Sequence, residues 1–270
     1  MTPADAGSEP GAAAGGGSEV GLTELVAHLD ELLDARRGSD YGPNGLQVEG
    51  RPRVRKVVTG VSACVELFAR ARAAGADAVV VHHGLFWQGL PLTLTGLRYR
   101  RVAELIQGGM SLIAYHLPLD RHPGLGNNAL AARGFGLSDL EPFGDHGGLP
   151  LGFKGRFPRP EPAQVLVETC RRIFGQEPIA YLAGPANVTT VGMISGGAQR
   201  EVYQAIDQGL DAYVTGETSE WVMNVAREAG IHYLAAGHYA TERLGVRALG
   251  EHLRRHFGLE VEFVDVPNAV

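Results

Sequence analysis

The chain has 270 residues, 44% hydrophobic and 20% charged, with a formal net charge of −6. This is ordinary globular composition, and the length allows one large core or two modest ones. The acidic balance argues against a general nucleic-acid binder, which needs a basic face, but leaves room for a local basic pocket holding a phosphorylated ligand. No apolar run approaches the ~18 residues that span a bilayer, and the N-terminus lacks the basic start and apolar centre of a secretory signal. The cysteines, Cys64 and Cys170, have no CxxC spacing and fit a reduced, cytoplasmic setting.

Residues 1–19 are mostly Gly, Ala, Ser and Pro, and such a segment is expected to be a flexible tail because it has too little apolar surface to offset its ordering entropy. From Leu22 to Leu33 apolar residues recur at helical spacing, with Thr23 as a start signal and Gly38 beyond the end. Asp40 to Gly50 is turn chemistry leading into a short apolar piece. The pattern then predicts a strand at 56–61, a helix at 63–74, a strand at 78–82, a helix at about 99–108 and a strand at 110–116. A loop over 117–127 and a helix from Asn128 to Gly134 are expected next. The Gly- and Pro-rich residues 135–160 read as a connecting hinge, with an antiparallel strand at Leu151–Phe157 within it.

Beyond the hinge the pattern predicts helix 161–174, with Pro162 in its first turn, and strand 188–194. Helix 198–208, strand 211–215, helix 217–229 and strand 231–236 follow, and a long helix 239–257 and a strand 260–266 close the chain. Strands alternating with helices predict an α/β layered fold. Two similar α/β lobes are expected, 20–134 and 161–270, with a metal site in the cleft between them.

The lobes are inferred from an internal repeat. Val57–Trp87 aligns without a gap on Val191–Trp221, placing Asp77-Ala78 on Asp211-Ala212, Trp87 on Trp221 and His82-His83 on Gly216-Glu217. Further on, after a spacer of different length, His116 with Asp120 answers His238 with Glu242.

His82-His83 ends the run Ala78-Val79-Val80-Val81, the composition of a strand buried on both faces. The carboxyl end of such a strand is where open α/β sheets place their sites. Neighbouring strand side chains point to opposite faces, so the two rings share one site only where the strand is ending, or else serve different ions. The plain alternative is a hydrogen-bonded histidine pair. His238 and Glu242, four apart on one helical face, can reach a common ion. Pro118 lies between His116 and Asp120, so that pair is expected to be non-helical and to rely on loop geometry.

Histidines with two carboxylates suit Zn, Fe, Mn, Co or Ni better than Mg or Ca. Ligand-type groups at His82, His83, Asp120, His238 and Glu242 exceed what one catalytic ion takes from protein, so two divalent ions are expected, with a carboxylate able to bridge. A closed structural zinc site is disfavoured because neither cysteine lies near the cluster. Glu217 reads as a partner of a ligand, a proton shuttle or a simple helix start. Asn127-Asn128 after His122 reads as a helix cap or a ligand contact. His28, His146, His232, His252 and His256 read as surface or helix-face residues. The Gly196-Gly197-Ala198 turn before a helix resembles an anion cradle. Walker, GxGxxG, GxSxG and HExxH motifs are missing from the sequence.

With these residues assembled, the chain resembles the Nif-three-like dinuclear-metal-centre hexameric proteins, often labelled GTP cyclohydrolase 1 type 2 homologues. The match runs from about Leu22 to Val270. It is carried by GLQVEG at 45–50, VVVHHGLFW at 79–87, YHLPLDRHPGLGNN at 115–128, VTGE at 214–217, GHYATE at 237–242 and the tail VEFVDVPNAV. The resemblance implies two metal ions held by residues matching His82, His83, Asp120, His238 and Glu242. It also implies a toroidal homohexamer, a trimer of dimers with its sites facing an internal cavity, in the short form without an inserted middle domain. The cyclohydrolase label implies hydrolytic opening of a purine ring, for which an unligated group must handle protons; His116 and Glu217 are the expected catalytic residues. The expected function is therefore a metal-dependent hydrolase of a nucleotide or related small molecule. The alternatives are a metal-binding regulatory or interaction protein, or one that stores or inserts ions. An open coordination position and turnover would separate the first from the others.

Overall fold

The computed structural model describes residues 18–270; the expected tail falls almost wholly outside them. The chain begins with β1 (Val20–Gly21), α1 (Leu22–Leu32), β2 (Gly45–Val48) and β3 (Arg53–Val54). A β-α-β-α-β unit follows: β4 (Lys56–Ser62), α2 (Val65–Ala73), β5 (Ala78–His83), α3 (Gly96–Gly108) and β6 (Ser111–Ala114). Short helices α4 (Leu117–Arg121) and α5 (Asn127–Gly134) lead to β7 (Ser138–His146), β8 (Leu149–Pro162), α6 (Gln164–Phe174) and β9 (Ile179–Leu182). A second β-α-β-α-β unit contains β10 (Asn187–Met193), α7 (Val202–Asp207), β11 (Ala212–Thr215), α8 (Val222–Ala229) and β12 (His232–Ala235). Last come α9 (His238–Phe257) and β13 (Glu260–Phe263).

These strands form two main sheets, ordered β13-β4-β5-β6-β2 and β7-β8-β10-β11-β12-β9. At the centre of each lie three parallel strands, β4, β5 and β6 in one and β10, β11 and β12 in the other. Alternation along each strand explains the layering. Val57, Val61, Ala78 and Val80 face α1 and α9 through Leu25, Leu29, Val246 and Leu249. Val58, Val79 and Val81 face α2 and α3 through Leu67, Phe68 and Leu105. The second sheet is likewise covered on both sides, by α5 and α6 and by α7 and α8.

The two units are equivalent in hydrogen bonding as well as in order. Asp77 Oδ2 accepts from the backbone N–H of Arg55 and Lys56, and Asp211 Oδ2 accepts from those of Thr189 and Thr190. Each carboxylate ties the start of the first strand to the start of the second, a charge-assisted clasp of about 1.5–3 kcal/mol per bond at most. The equivalence is shifted further on. Val81 pairs with Ala114, and Thr215 pairs with Ala235, so His116 corresponds to Gly237 and not to His238. Both His116 and Gly237 are helix caps, and His238 is the first residue of its helix.

Several expectations change. The stretch read as a hinge is a long β7–β8 hairpin belonging to the second sheet. Its turn is Gly147-Gly148, both at positive φ (64° and 83°), as a tight two-residue hairpin connection requires. Pro162 ends β8, paired with Asn187 at the start of β10, instead of opening a helix. Pro118 does not prevent a helix. It sits in the first turn of α4, where its missing N–H would have had no intrahelical acceptor. Strand β9 had no sequence signal, being four residues between Pro178 and Pro185. The second lobe does not keep its own end: α9 packs on the first sheet and β13 pairs with β4. No helix among the described residues is long and apolar enough to cross a membrane.

Candidate metal centre

The carboxyl ends of the parallel strands from both sheets converge on one cleft. β5 delivers His82 and His83. The segment after β6 delivers His116 and, one helical turn on, Asp120. The loop after β11 delivers Glu217, and the start of α9 delivers His238 and Glu242. Glu242 is 3% exposed and lies at the middle. Its Oε1 is 3.4 Å from His82 Nε2 and 3.2 Å from His238 Nε2, and its Oε2 is 3.2 Å from His83 Nε2. Asp120 Oδ2 approaches His82 Nε2 at 3.5 Å. The expected ligands are therefore brought together, in overlapping groups His82/Asp120/Glu242 and His83/His238/Glu242. His116 joins a third group with His82 and His83.

Each imidazole in the cluster is held by a bond on its Nδ1. His82 Nδ1 bonds the Tyr115 carbonyl at 3.0 Å, and His83 Nδ1 bonds Ser62 Oγ at 3.1 Å. His238 Nδ1 bonds Glu217 Oε1 at 2.6 Å, and His116 Nδ1 bonds Asp40 Oδ1 at 2.6 Å. Asp120 Oδ1 accepts from Asn127 Nδ2 at 2.9 Å and from Ser195 Oγ at 3.0 Å. With Nδ1 engaged, the Nε2 atoms of His82, His83 and His238 all face Glu242. Such outer partners fix the tautomer and aim of metal ligands.

Burial disfavours charge on His82, but Asp120 and Glu242 outweigh it and raise its pKa to about 9. His238 behaves alike: burial opposes, but Glu242 and Glu217 lift it to about 9. His83 is pushed down to about 3 by burial and by its cationic neighbours, so it is neutral. Burial would raise Glu242, yet the surrounding imidazoles hold it well below the usual carboxylate range. A buried carboxylate among imidazoles, two of them held protonated by their acidic neighbours, concentrates charge where a cation could also be held. The donor set fits a divalent ion on a further ground. His82 Nε2 and Glu242 Oε2 are both buried with no hydrogen-bond partner, which native interiors rarely tolerate.

Two glycines are required here. A Cβ on Gly216 would lie 2.7 Å from both the Gly196 carbonyl oxygen and the His238 Cα, neither of which can move freely. Gly196 has φ +68°, and a Cβ there would collide with Glu242 Oε1. Gly196→Ala should therefore cost about 1–3 kcal/mol from overpacking, although no side chain of the cluster is altered. Denaturant unfolding checks this; an unchanged midpoint would mean that the Glu242 carboxylate has room to shift.

Sequence reasoning missed Asp40, Ser62 and Ser195, because partners 76, 21 and 75 residues away in the chain leave no local signal. His146, read as a surface residue, reaches the cleft and bonds the Tyr41 hydroxyl at 3.0 Å. His232, read the same way, is buried in β12, its Nε2 donating to the Pro185 carbonyl and its Nδ1 accepting from Gly184 N–H. His122 Nδ1 accepts from the N–H groups of Gly124 and Leu125, shaping the turn before α5. Asn127 and Asn128 brace Asp120 and Ser195. The cleft onto which the cluster opens is about 500 Å3 and is lined also by Tyr41, Trp87, Arg101 and His146.

Two α/β sheets whose strand ends share a buried histidine–carboxylate cluster define a class of α/β protein with a cleft whose side chains could hold metal ions. The chain belongs to the Duf34/NIF3 (NGG1p interacting factor 3) family, whose profile matches residues 20–269. It is 44% identical over 249 residues to a GTP cyclohydrolase 1 type 2 homolog of Pseudomonas aeruginosa, covering 92% of this chain and 98% of that one. It is 41% identical to the protein of the same name in Pasteurella multocida, over 91% of this chain and 98% of that one. Among solved structures, protein ybgI, described as of unknown function, superposes with a TM-score of 0.88 at 41% identity, over 93% of this chain and all (100%) of that chain. TTHA1606 from Thermus thermophilus superposes at 0.85 with 39% identity, over 93% and 100% of the two chains.

Proposed function

We propose that the cleft holds two divalent transition-metal ions and that the protein is a hydrolase of a nucleotide or a related small molecule. The observation that carries this reading is Glu242, a buried carboxylate with both oxygens facing imidazole Nε2 atoms, which would let it serve as a ligand shared between the ions. His82, His83, Asp120, His238 and Glu242 would hold the ions. When bound, such ions supply Lewis acidity and a nucleophile generated from water near neutral pH.

The other residues have distinct roles. Glu217 is a positioning residue, fixing His238 by its 2.6 Å bond. His116, oriented by Asp40, moves the proton for the leaving atom. Trp87 supplies a flat apolar wall, its ring edge-on to His116 at 5.0 Å between centroids. Arg101 lines the cleft, and its Nε has no hydrogen-bond partner among the described residues, so it suits an anionic group such as a phosphate. A planar, anionic substrate fits that pair. A regulatory metal-binding protein without turnover is the second reading. Hydrolysis screening of metal-loaded protein against nucleotides, phosphoesters and cyclic amides, with Glu242→Ala as control, separates the two; no turnover of any would favour the second.

Proton linkage provides a test that needs no substrate. At pH 7 the metal-free protein carries protons on His82 and His238, whose pKa values are raised to about 9. Ligation requires neutral imidazoles, so loading should release about two protons per chain, and affinity should rise with pH toward about 9. Titration calorimetry in buffers of different ionisation heat measures the number, and a value of zero would exclude this protonation scheme. The opposite sign holds for folding of the metal-free protein. Stability from these imidazolium pairs is complete below about pH 6.5 and is lost as pH rises through about 9.

Assembly as a cytoplasmic homohexamer belongs to the same proposal. Leu90, Leu92, Leu94, Leu97, Tyr99 and Ile106 are exposed on the loop after β5 and along α3, apolar side chains that a second copy of the chain would cover. Light scattering should give the mass of a hexamer at micromolar concentration; a monomer mass would remove this part of the reading.

A further inference from the structure

Away from the cleft, α1 and α9 pack side by side on one face of the first sheet, and three of the chain's ten histidines meet between them. His252 and His256 are one turn apart on α9, so their side chains share a face. His28 on α1 faces them. The His28 and His252 Nε2 atoms are 2.8 Å apart, so one ring donates its N–H to the other. Ring centroids lie 5.1 Å apart for His28 and His252, 4.1 Å for His28 and His256 and 5.5 Å for His252 and His256. One nitrogen from each ring falls within 4.8 Å of the other two. Among the described residues no carboxylate bonds any of the three rings; the charged and titratable groups acting on them are Glu31 near His28 and Arg255 and His122 near His252.

Three adjoining imidazoles with so little counter-charge cannot all be cations. Burial and mutual repulsion lower the pKa of His28 and of His252, which leaves free lone pairs at neutral pH. A purely imidazole donor set suits zinc, copper or nickel and is poor for magnesium or calcium. Tetrahedral zinc with bonds of 2.0–2.1 Å separates its nitrogens by about 3.3 Å. The contact at 2.8 Å needs to open by only about half an ångström to reach that value. His28 and His252 are partly exposed and His256 is exposed, so water can complete the coordination.

We propose that His28, His252 and His256 form a second, separate site for a zinc-like divalent cation that clips the N-terminal helix to the C-terminal one. It shares no residue with the cleft and does not depend on the function proposed for it. Because neutral donors leave the ion's full charge uncompensated, this site is the weaker of the two. An ion bound there stabilises only the folded protein, in which α1 and α9 are adjacent.

The test is zinc uptake by the full chain with its central site already loaded. Wild type should bind one ion more per chain than His28→Ala or the double variant His252→Ala/His256→Ala. Zinc should also raise the thermal midpoint of wild type and not of the variants. Losing one ligand of three should weaken the extra site at least ~10-fold, the lower end of what loss of a mere outer partner costs. Should a variant fold poorly, anomalous diffraction from a zinc-soaked wild-type crystal gives the answer directly: a peak between α1 and α9 supports the site. Equal zinc content in wild type and variants, no extra ion in wild type, or a peak only at other surface histidines would overturn it.

Discussion

Glu242→Ala should strip the centre of metal, leaving less than about a tenth of the wild-type content after purification. Loss of an outer partner of a ligand already costs 10–100-fold in affinity, and among the described residues Glu242 is the carboxylate that approaches His82, His83 and His238 together. Both proposed ions depend on it, so they should leave together and not one at a time. The metal-free protein should also be weakened, because His82 and His238 lose the charge that keeps them protonated. Removing one partner of a buried ionic cluster typically costs about 3–5 kcal/mol. Glu242→Gln separates ligand loss from cavity formation. It fills the same volume but offers a neutral amide, and should lose metal while packing normally. Elemental analysis on both variants decides the matter, and full occupancy in either would remove Glu242 from the bridging position. His83→Ala should be milder, since it takes away a ligand from one side of the cluster.

Much of this arrangement was legible in the chain itself, for identifiable reasons. The β4–β5 region was readable because the valine run at 78–81 can only be a strand covered on both faces, and the structure covers both. The repeat located the equivalent strand β11, and the Asp77 and Asp211 clasps are the same interaction made twice. His238 and Glu242 were readable because helical spacing is a local rule. Failures arose where a tertiary partner decides. The β7–β8 hairpin looked like a hinge because Gly and Pro dominate it, and only its pairing with β10 makes it sheet. Pro118 between His116 and Asp120 predicts a non-helical pair, yet the first turn of a helix accepts proline, a question of position that composition cannot answer. Asp40 and Ser195 act through contacts far along the chain and carry no signal near their own positions. The clustering of His28 with His252 was invisible for the same reason, as the two lie 224 residues apart.

His116→Ala should leave the metal content near that of wild type and reduce hydrolysis by about 10²-fold or more, the scale of a lost general acid–base. Two features of the geometry support a proton-transfer role. The ring is fixed by Asp40 at 2.6 Å, and it stands at the rim of the cluster, next to the Trp87 wall where a substrate would lie. Its nearness to His82 and His83 leaves one competing role, that of a further metal ligand. The two make different predictions. A lost ligand would lower metal content and rate together, and extra metal would restore part of the rate; a lost proton carrier would leave the ions in place, and no metal concentration would rescue it. Asp40→Asn refines the distinction. It keeps the side-chain volume but lets an N–H face the ring, so the wrong tautomer is favoured; in a serine-protease triad the equivalent change costs about 10⁴ in rate with the geometry intact. Here the expectation is a loss comparable to that of His116→Ala, again without loss of metal. Glu217→Gln should behave differently, because Glu217 acts through His238: metal affinity should fall on the order of 10–100-fold, and saturating metal should recover much of the rate. A His116→Ala protein that hydrolyses a responsive substrate at the wild-type rate with its metal intact would assign proton transfer to another group, and Tyr41 and His146, hydrogen-bonded to each other on the same wall of the cleft, would be the next to examine.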